Sequence, residues 1–188
     1  MPGFSNARSQ AVWLSIIVVA VTCTAVVICR HRVAESAAIA QIYEGVPPVP
    51  KNGAVIPIPV LNEIIARDFK FVTNLRYVPP VVKDSFCNVE HCEFVGSKFD
   101  MVNPGKTMST DLVIKGVPNK RLVFAALSRQ SAIVLYQRGG YGDTLRVTVL
   151  NFRDGSAWRA RLNDYAITTL PKLRDSLSGG EYTVDAIR

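Results

Sequence analysis

The feature that most constrains this chain is a run of nineteen residues near its start that has no charge, no glycine and no proline. The run extends from Ala11 to Cys29 and reads AVWLSIIVVAVTCTAVVIC. As an α-helix it would be about 28 Å long, close to the roughly 30 Å hydrocarbon core of a bilayer. Nothing later in the sequence repeats it. The sequence therefore predicts one transmembrane helix and a single-pass membrane protein.

A cleaved signal peptide is the alternative to a retained anchor. Such a peptide has an apolar stretch of about 7 to 15 residues followed closely by a small-x-small cleavage site. Here the apolar run is longer, and the candidate site at residues 38–40 (Ala-Ile-Ala) lies well beyond it, after Arg30 and Arg32. We therefore predict a signal anchor that stays in the membrane, preceded by a short tail, residues 1–10.

The basic residues that flank the run bear on its orientation. Arg8 precedes it, and Arg30 and Arg32 follow it, which by the positive-inside rule favours a cytoplasmic C-terminus. The rule weakens when the following domain is long, because long domains translocate largely regardless of charge. A cysteine pair in the domain also suits an oxidising compartment. We expect the C-terminal domain on the non-cytoplasmic side, periplasmic or extracellular.

One face of the predicted helix carries mostly small or weakly polar side chains. Small residues let helices approach closely in lipid, where van der Waals contact and hydroxyl hydrogen bonds drive association. The pattern predicts packing against other membrane subunits or a second copy, although such residues are common in any span. The positions on this face are Ala11, Ser15, Val18, Thr22, Ala25 and Cys29.

The chain after the span changes composition twice. Residues 30–44 contain good helix formers and no breaker, which predicts a juxtamembrane helical extension. Residues 45–59 contain five prolines, a composition typical of an extended, semi-rigid spacer. We expect the remaining residues, 60–188, to form a soluble domain that is large enough to bury its own core.

The domain has the pattern of an α+β fold. Its first element is ambiguous: a short helix over residues 60–67 that runs into a strand, or a single long helix through Tyr77. Residues 83–110 have little periodicity and are expected to be rich in loops. A helix is expected from about Thr169 to Leu177. About five antiparallel strands, ending in a meander, are predicted at residues 111–117, 121–127, 132–138, 144–152 and 158–162.

Alternation along the last strands gives the sheet one apolar and one basic face. The apolar face is expected to pack on one or two helices in a two-layer domain, and Arg146, Arg159 and Arg161 lie on the basic face. The chain has a net charge of +7, so this face is our candidate partner surface for anionic lipid headgroups, an acidic subunit or a polyanion. A solvated face of mixed charge is the alternative. Nucleic acid is disfavoured because no motif of a nucleic-acid-binding family is present.

Cys87 and Cys92 enclose the densest group of reactive side chains. A disulfide that staples a loop is the first interpretation, and free thiols are the second. A metal site with His91 and either Glu90 or Glu93 is the third, but the spacing is not that of a zinc motif and no second cysteine pair exists outside the span. We expect neither a metal nor a cofactor.

Catalysis is disfavoured by the same inventory. The only histidines are His31, beside the span, and His91, so nucleophilic catalysis would have one plausible base. Residues 139–142 (Gly-Gly-Tyr-Gly) lie between two predicted strands and are better explained as a hairpin turn than as a phosphate loop.

The sequence therefore predicts a membrane-anchored accessory or scaffold subunit of a larger membrane or envelope complex, which acts by binding and not as an enzyme. The alternatives are a tethered ligand-binding or inhibitor module, with contact loops at residues 87–92 and 139–142, and a viral structural membrane protein.

Overall fold

Two compact units make up the chain, residues 1–41 and residues 42–188. In the first unit every described residue is helical, and in the second a sheet is combined with three helices. The computed structural model describes residues 21, 22, 24, 26–28, 30, 34, 37–92, 99–109, 117–140 and 143–185.

The predicted transmembrane helix falls largely outside these residues. Of its small-residue face, Ala11, Ser15, Val18, Ala25 and Cys29 lie outside the described part, and Thr22 lies at a helical position. Within the described part of the chain, no helix has the length and apolar character needed to cross a bilayer.

The second unit is built on a six-stranded antiparallel sheet whose strands follow one another in chain order. The predicted meander is confirmed, but the sheet has six strands instead of about five, because short strands are added at both ends. The predicted strand at residues 111–117 lies mostly outside the described residues. The strands are β1 Lys70–Val72, β2 Lys120–Leu127, β3 Ser131–Arg138, β4 Thr144–Asn151, β5 Ser156–Leu162 and β6 Tyr182–Val184.

Among the described residues of the unit, three α-helices and one 3₁₀ turn accompany the sheet. The helices are α1 Ile58–Ile65, α2 Pro80–Glu90 and α3 Leu170–Ser178, and the 3₁₀ turn is Leu75–Tyr77. The short helix that runs into a strand is therefore the correct interpretation of the first element. Helix α3 begins where it was expected, with a proline in its first turn, where the missing N–H costs nothing.

The first face of the sheet is covered by α1 and α3. Alternate side chains of β3, β4 and β5 point to this face and form one apolar core with the buried sides of the two helices. Trp158 lies fully buried in this core, with its ring against that of Tyr182 at 5.4 Å between centroids. Burial of these side chains is the main stabilising term of the unit.

The opposite face is covered by α2, and we call it the α2 face. Val82, Phe86 and Val89 of α2 are almost fully buried, and the ring of Phe86 meets that of Tyr136 on β3 edge-on, with centroids 5.0 Å apart. The sheet therefore lies between helices on both sides, and the expected two-layer arrangement is wrong.

The loop-rich interpretation of residues 83–110 failed at α2 for a physical reason. A pair of prolines such as Pro79 and Pro80 is typical of the end of an element, but a proline in the first turn starts a helix equally well. The buried side chains then follow at helical spacing over only eleven residues, which is too short a stretch for the periodicity to stand out from the neighbouring loops.

The Pro-rich segment that was predicted to be a spacer packs against the second unit. Val49 is almost fully buried; its N–H donates to Ser85 Oγ, and its carbonyl accepts from Asn88 Nδ2, both at 2.8 Å. Further along, the N–H of Ile56 donates to the carbonyl of Ala157 on β5 at 2.9 Å. These contacts join the segment to α2 and to the edge of the sheet.

The compact unit consequently begins at Ile42 and not at residue 60. Proline fixes an extended backbone, and such a backbone serves as well for a segment that lies along a surface as for a free linker. A close approach helps to hold it there: a Cβ at Gly53 would overlap the backbone oxygen of Gly155. The proline content of this segment predicts its extended backbone but does not show that it packs against the domain.

Replacement of Ile56 tests whether this segment is structural. Ile56 is 1% exposed and belongs to the core of the first face, so Ile56→Ala should lower the free energy of unfolding by about 2 to 5 kcal/mol in urea titrations of the full chain. The neighbouring Val55 is 55% exposed, and Val55→Ala is the matched control, with an expected change of less than about 0.5 kcal/mol. Equal, small effects at the two positions would contradict the packing described here.

Candidate functional site

The three arginines of the predicted partner surface lie on the α2 face, but in different environments. Arg159 is directed under α2: its Nη1 donates to the carbonyl of Val89 at 3.1 Å and lies 3.9 Å from Glu90 Oε2. Arg146 forms an ion pair with Asp185, with Nη1 and Oδ2 2.9 Å apart. Arg161 is exposed. Only part of the predicted surface is therefore open.

A buried polar cluster lies where the end of α2 meets the sheet. The side chain of Glu90 is fully buried, and its Oε1 accepts a hydrogen bond from Thr148 Oγ1 at 2.7 Å. Burial raises the pKa of Tyr136 well above its usual value, and the carboxylate of Glu90 raises it further. A carboxylate in the last turn of a helix meets the negative end of the helix dipole, so the arginine at 3.9 Å compensates it.

This cluster has the character of a structural element. Removing one partner of a buried ion pair lowers the stability of a protein more than removing one partner of an exposed pair. The reason is that the remaining charge is left in a medium of low polarity. Arg159 also supplies a donor to a carbonyl at the C-terminal end of α2, where helix carbonyls lack intrahelical partners. The contacts of Arg159 serve to hold α2 on the sheet.

Four basic side chains form a row across the end of the α2 face, and we call it the basic row. It crosses four neighbouring strands, β2 to β5, over about 14 Å at the usual strand spacing. Two of its members face each other in the β2–β3 register and two in the β4–β5 register. The members are Lys120, Arg138, Arg146 and Arg161.

Two carboxylates neutralise half of the basic row. Lys120 is buried and bonded to Asp100, with Nζ and Oδ2 2.5 Å apart, and Arg146 is paired with Asp185. Within the described residues, the side chains of Arg138 and Arg161 have no ion pair. The α2 face at this end of the sheet therefore carries two uncompensated positive charges.

Sequence reasoning missed Lys120 and Arg138. Alternation from Tyr136 would have placed Arg138 on this face, so a signal was present in β3. No such signal exists for Lys120, because a bulge shifts the β2–β3 register between Leu122 and Phe124 and reverses the alternation from there on.

Cys87 and Cys92 lie at disulfide-bonding distance at the C-terminal end of α2, with their Cα atoms 4.7 Å apart. His91, between them, has φ +47°, and the N–H of Cys92 donates to the carbonyl of Cys87 at 3.2 Å. This is the hydrogen bond of a Schellman motif, in which the two outer positions normally make a hydrophobic contact. The cysteine pair occupies those positions, so it closes a helix cap and not the free loop that was expected.

An open groove of about 460 Å³ lies on the first face, between α1 and α3. Arg174 of α3 lines it and donates from Nε to the carbonyl of Ile65 at 2.6 Å, which ties α3 to the end of α1. The groove is lined mainly by Ile58, Ile65, Leu177 and Tyr182, with a few polar groups. Its size is within the range of small-molecule sites.

Across residues 37–92, 99–109, 117–140 and 143–185, no three His, Cys, Asp or Glu side chains are placed so that they could share an ion. Glu93, one of the ligands considered above, lies outside these ranges. β3 and β4 are antiparallel neighbours connected by residues 139–143, and the predicted hairpin turn falls partly on Tyr141 and Gly142, which lie outside the described residues.

Comparison with known proteins adds no relative: no protein-family model matches this chain, and neither a curated protein nor a solved structure is significantly similar to it.

The raised pKa of Tyr136 predicts a loss of stability in alkali. Below about pH 10 the hydroxyl is neutral in both states. Above that pH it ionises in the unfolded chain but not in the folded one, so the free energy of unfolding should fall by about 1.4 kcal/mol per pH unit for this group. Urea unfolding between pH 8 and pH 11 should give a shallower decline for Tyr136→Phe than for the wild type. Parallel curves would contradict this environment.

The cysteine pair predicts a dependence of stability on reductant. Closing a loop of six residues contributes about 2 kcal/mol in the chain-entropy account, so dithiothreitol should lower the free energy of unfolding by that amount. In Cys92→Ala the reductant should have no effect. In denaturant without reductant, alkylation should modify two of the four cysteines; modification of all four would show that the bond is absent.

Proposed function

We propose that this chain is a single-pass membrane-anchored accessory or scaffold subunit of a larger membrane or envelope complex, which acts by binding and not by catalysis. Its domain is proposed to lie on the non-cytoplasmic side of the membrane. The transmembrane helix at residues 11–29 is the anchor, and its small-residue face is the proposed contact with other subunits or with a second copy.

The observation that carries this proposal is the short distance along the chain between the anchor and the folded unit. The unit begins at Ile42, and the apolar run ends at Cys29. The chain between them can extend to about 45 Å at most. A domain tethered this closely works at the membrane surface, so its partners are expected in or on the same membrane.

Charge supports a binding role for the domain. From Ile42 onward the chain has nineteen basic and fourteen acidic residues, and part of this excess is concentrated in the basic row. We assign the partner surface to Arg138, Arg146 and Arg161. Arg159 contributes indirectly, because it holds α2 in place and α2 borders the same face.

A second candidate function is supported by the groove between α1 and α3. A concave, mainly apolar site of this volume is typical of small-molecule binding. In that case the chain would be a membrane-tethered ligand-binding module whose activity is independent of partner subunits.

Extraction from the native membrane distinguishes the two functions. The full chain in mild detergent should elute in a stoichiometric complex by light scattering and mass spectrometry. Exchange of residues 11–29 for polyleucine should release the partners, because the small-residue face is lost while an apolar span remains.

The matched control replaces Leu14, Ile16 and Ile17 with other large aliphatic residues and should retain the complex. A wild-type chain that elutes as a monomer without partners would overturn the subunit proposal and favour the tethered module.

A further inference from the structure

We propose that the basic row is a binding site for the phosphate groups of anionic phospholipids in the membrane that anchors the chain. This inference rests on the membrane anchoring proposed above and names the partner of one surface of the domain. It starts from the charges that the fold leaves uncompensated on the α2 face.

At this end of the sheet, positively charged residues lie opposite each other on neighbouring strands. Lys120 faces Arg138, and Arg146 faces Arg161 in the strand register. Like charges directly opposite each other destabilise a sheet. In each pair the fold neutralises one member, with Asp100 for Lys120 and Asp185 for Arg146. The remaining members are the two arginines whose side chains have no ion pair within the described part of the chain.

The positions of these two arginines suit an anion with several oxygens. Arg138 is the last residue of β3 and Arg161 the second last of β5, so they flank β4 on the same face. Arg146 lies between them on β4, and its Nε donates to Thr144 Oγ1 at 3.3 Å. Guanidinium groups bind phosphate through paired N–H donors and remain charged at any physiological pH.

Within the described residues, no other acidic side chain at this end of the sheet forms an ion pair with the basic row. Asp164 accepts a hydrogen bond from the N–H of Ala166 at 2.7 Å. Arg138 and Arg161 therefore have no carboxylate partner in this part of the structure.

Two observations favour a lipid over a soluble anion or an acidic protein. The chain between the predicted span and the folded unit is at most about 45 Å long, so the domain is expected to stay near the membrane, where the local concentration of phospholipid headgroups is high. Tyr165, at the same end of the sheet, is 54% exposed, and its hydroxyl donates to the carbonyl of Asp143 at 2.7 Å. A partly polar aromatic ring of this kind is enriched where proteins meet the membrane interface.

The test uses the purified full chain in a neutral detergent, titrated with dioctanoyl phosphatidylglycerol and followed by native mass spectrometry. Dioctanoyl phosphatidylcholine, inorganic phosphate and polyglutamate are the comparison probes. We expect phosphatidylglycerol to bind more tightly than phosphatidylcholine. Each of Arg138→Gln and Arg161→Gln should weaken its binding about fivefold, and the double variant about 25-fold.

Matched controls come from the opposite end of the sheet. Arg129 and Arg153 are exposed in the β2–β3 and β4–β5 turns, so Arg129→Gln with Arg153→Gln removes the same charge and should leave lipid binding unchanged. Arg138→Lys with Arg161→Lys keeps the charge but loses the paired donors, so it should bind phosphatidylglycerol more tightly than the double Gln variant and more weakly than the wild type. Thermal unfolding of each variant shows whether it is folded. Together with these two control variants, it separates the effect of lost charge from the effect of lost folding.

Equal affinity of the wild type and the double Gln variant for phosphatidylglycerol would overturn the inference. Binding of inorganic phosphate or polyglutamate to these arginines, with no preference for phosphatidylglycerol over phosphatidylcholine, would overturn it in favour of a soluble anion or an acidic protein. The measurement uses the isolated chain, so a failure to extract partner subunits would leave its result unchanged.

Discussion

The stability of the second unit depends on helices that cover both faces of its sheet. One face is apolar, and the other carries both apolar and charged side chains. The first face is simple: α1 and α3 cover it, and the contacts are almost entirely apolar. The α2 face is harder to cover with a helix, because it carries charged side chains of β4 and β5. Glu90 and Arg159 resolve this conflict by pairing within the interface. Together with the buried side chains of Val82, Phe86 and Val89, this pair holds α2 on the sheet.

The four long strands, β2 to β5, are bordered on both sides by short segments. β1 pairs with one half of β2, and Val102 forms a parallel bridge to Arg121 in the other half of β2. On β5, the Pro-rich segment bridges one end through Val55, and β6 pairs with the other. Short segments of this kind leave little continuous edge for pairing with another chain. The Pro-rich segment thus has a structural role that its composition alone did not suggest.

Among the described residues, one end of the α2 face carries arginines that make no ion pair. Helix α2 ends at Glu90, and the basic row lies beyond the point where Glu90 contacts Thr148. The polar groups near α2 are used internally, whereas Arg138 and Arg161 at the end of the sheet are not. A binding role at a membrane surface fits this division, since electrostatic attraction to a charged surface requires exposed charge but no deep cavity.

The sequence by itself determined the elements with strong local signals. The meander and α3 follow from alternation, turn residues and proline position, which are properties of a few neighbouring residues. The first element stayed ambiguous between a short helix with a strand and one long helix, and the structure decided for the short helix. The apolar run at residues 11–29 gives the prediction of a membrane anchor in the same way. The alternation of side chains in β4 and β5 also predicted the positive charge of the basic face.

Only the tertiary structure decided what each face and segment contacts. The helical character of residues 80–90, the attachment of the Pro-rich segment and the burial of Arg159 depend on partners distant in sequence: Tyr136 for Phe86, Ala157 for Ile56 and Val89 for Arg159. The same holds for Lys120, because one bulge in β2 changes the face to which it belongs. A local pattern records a side chain's preference for an apolar or polar environment, but the environment is created by the rest of the chain when it folds.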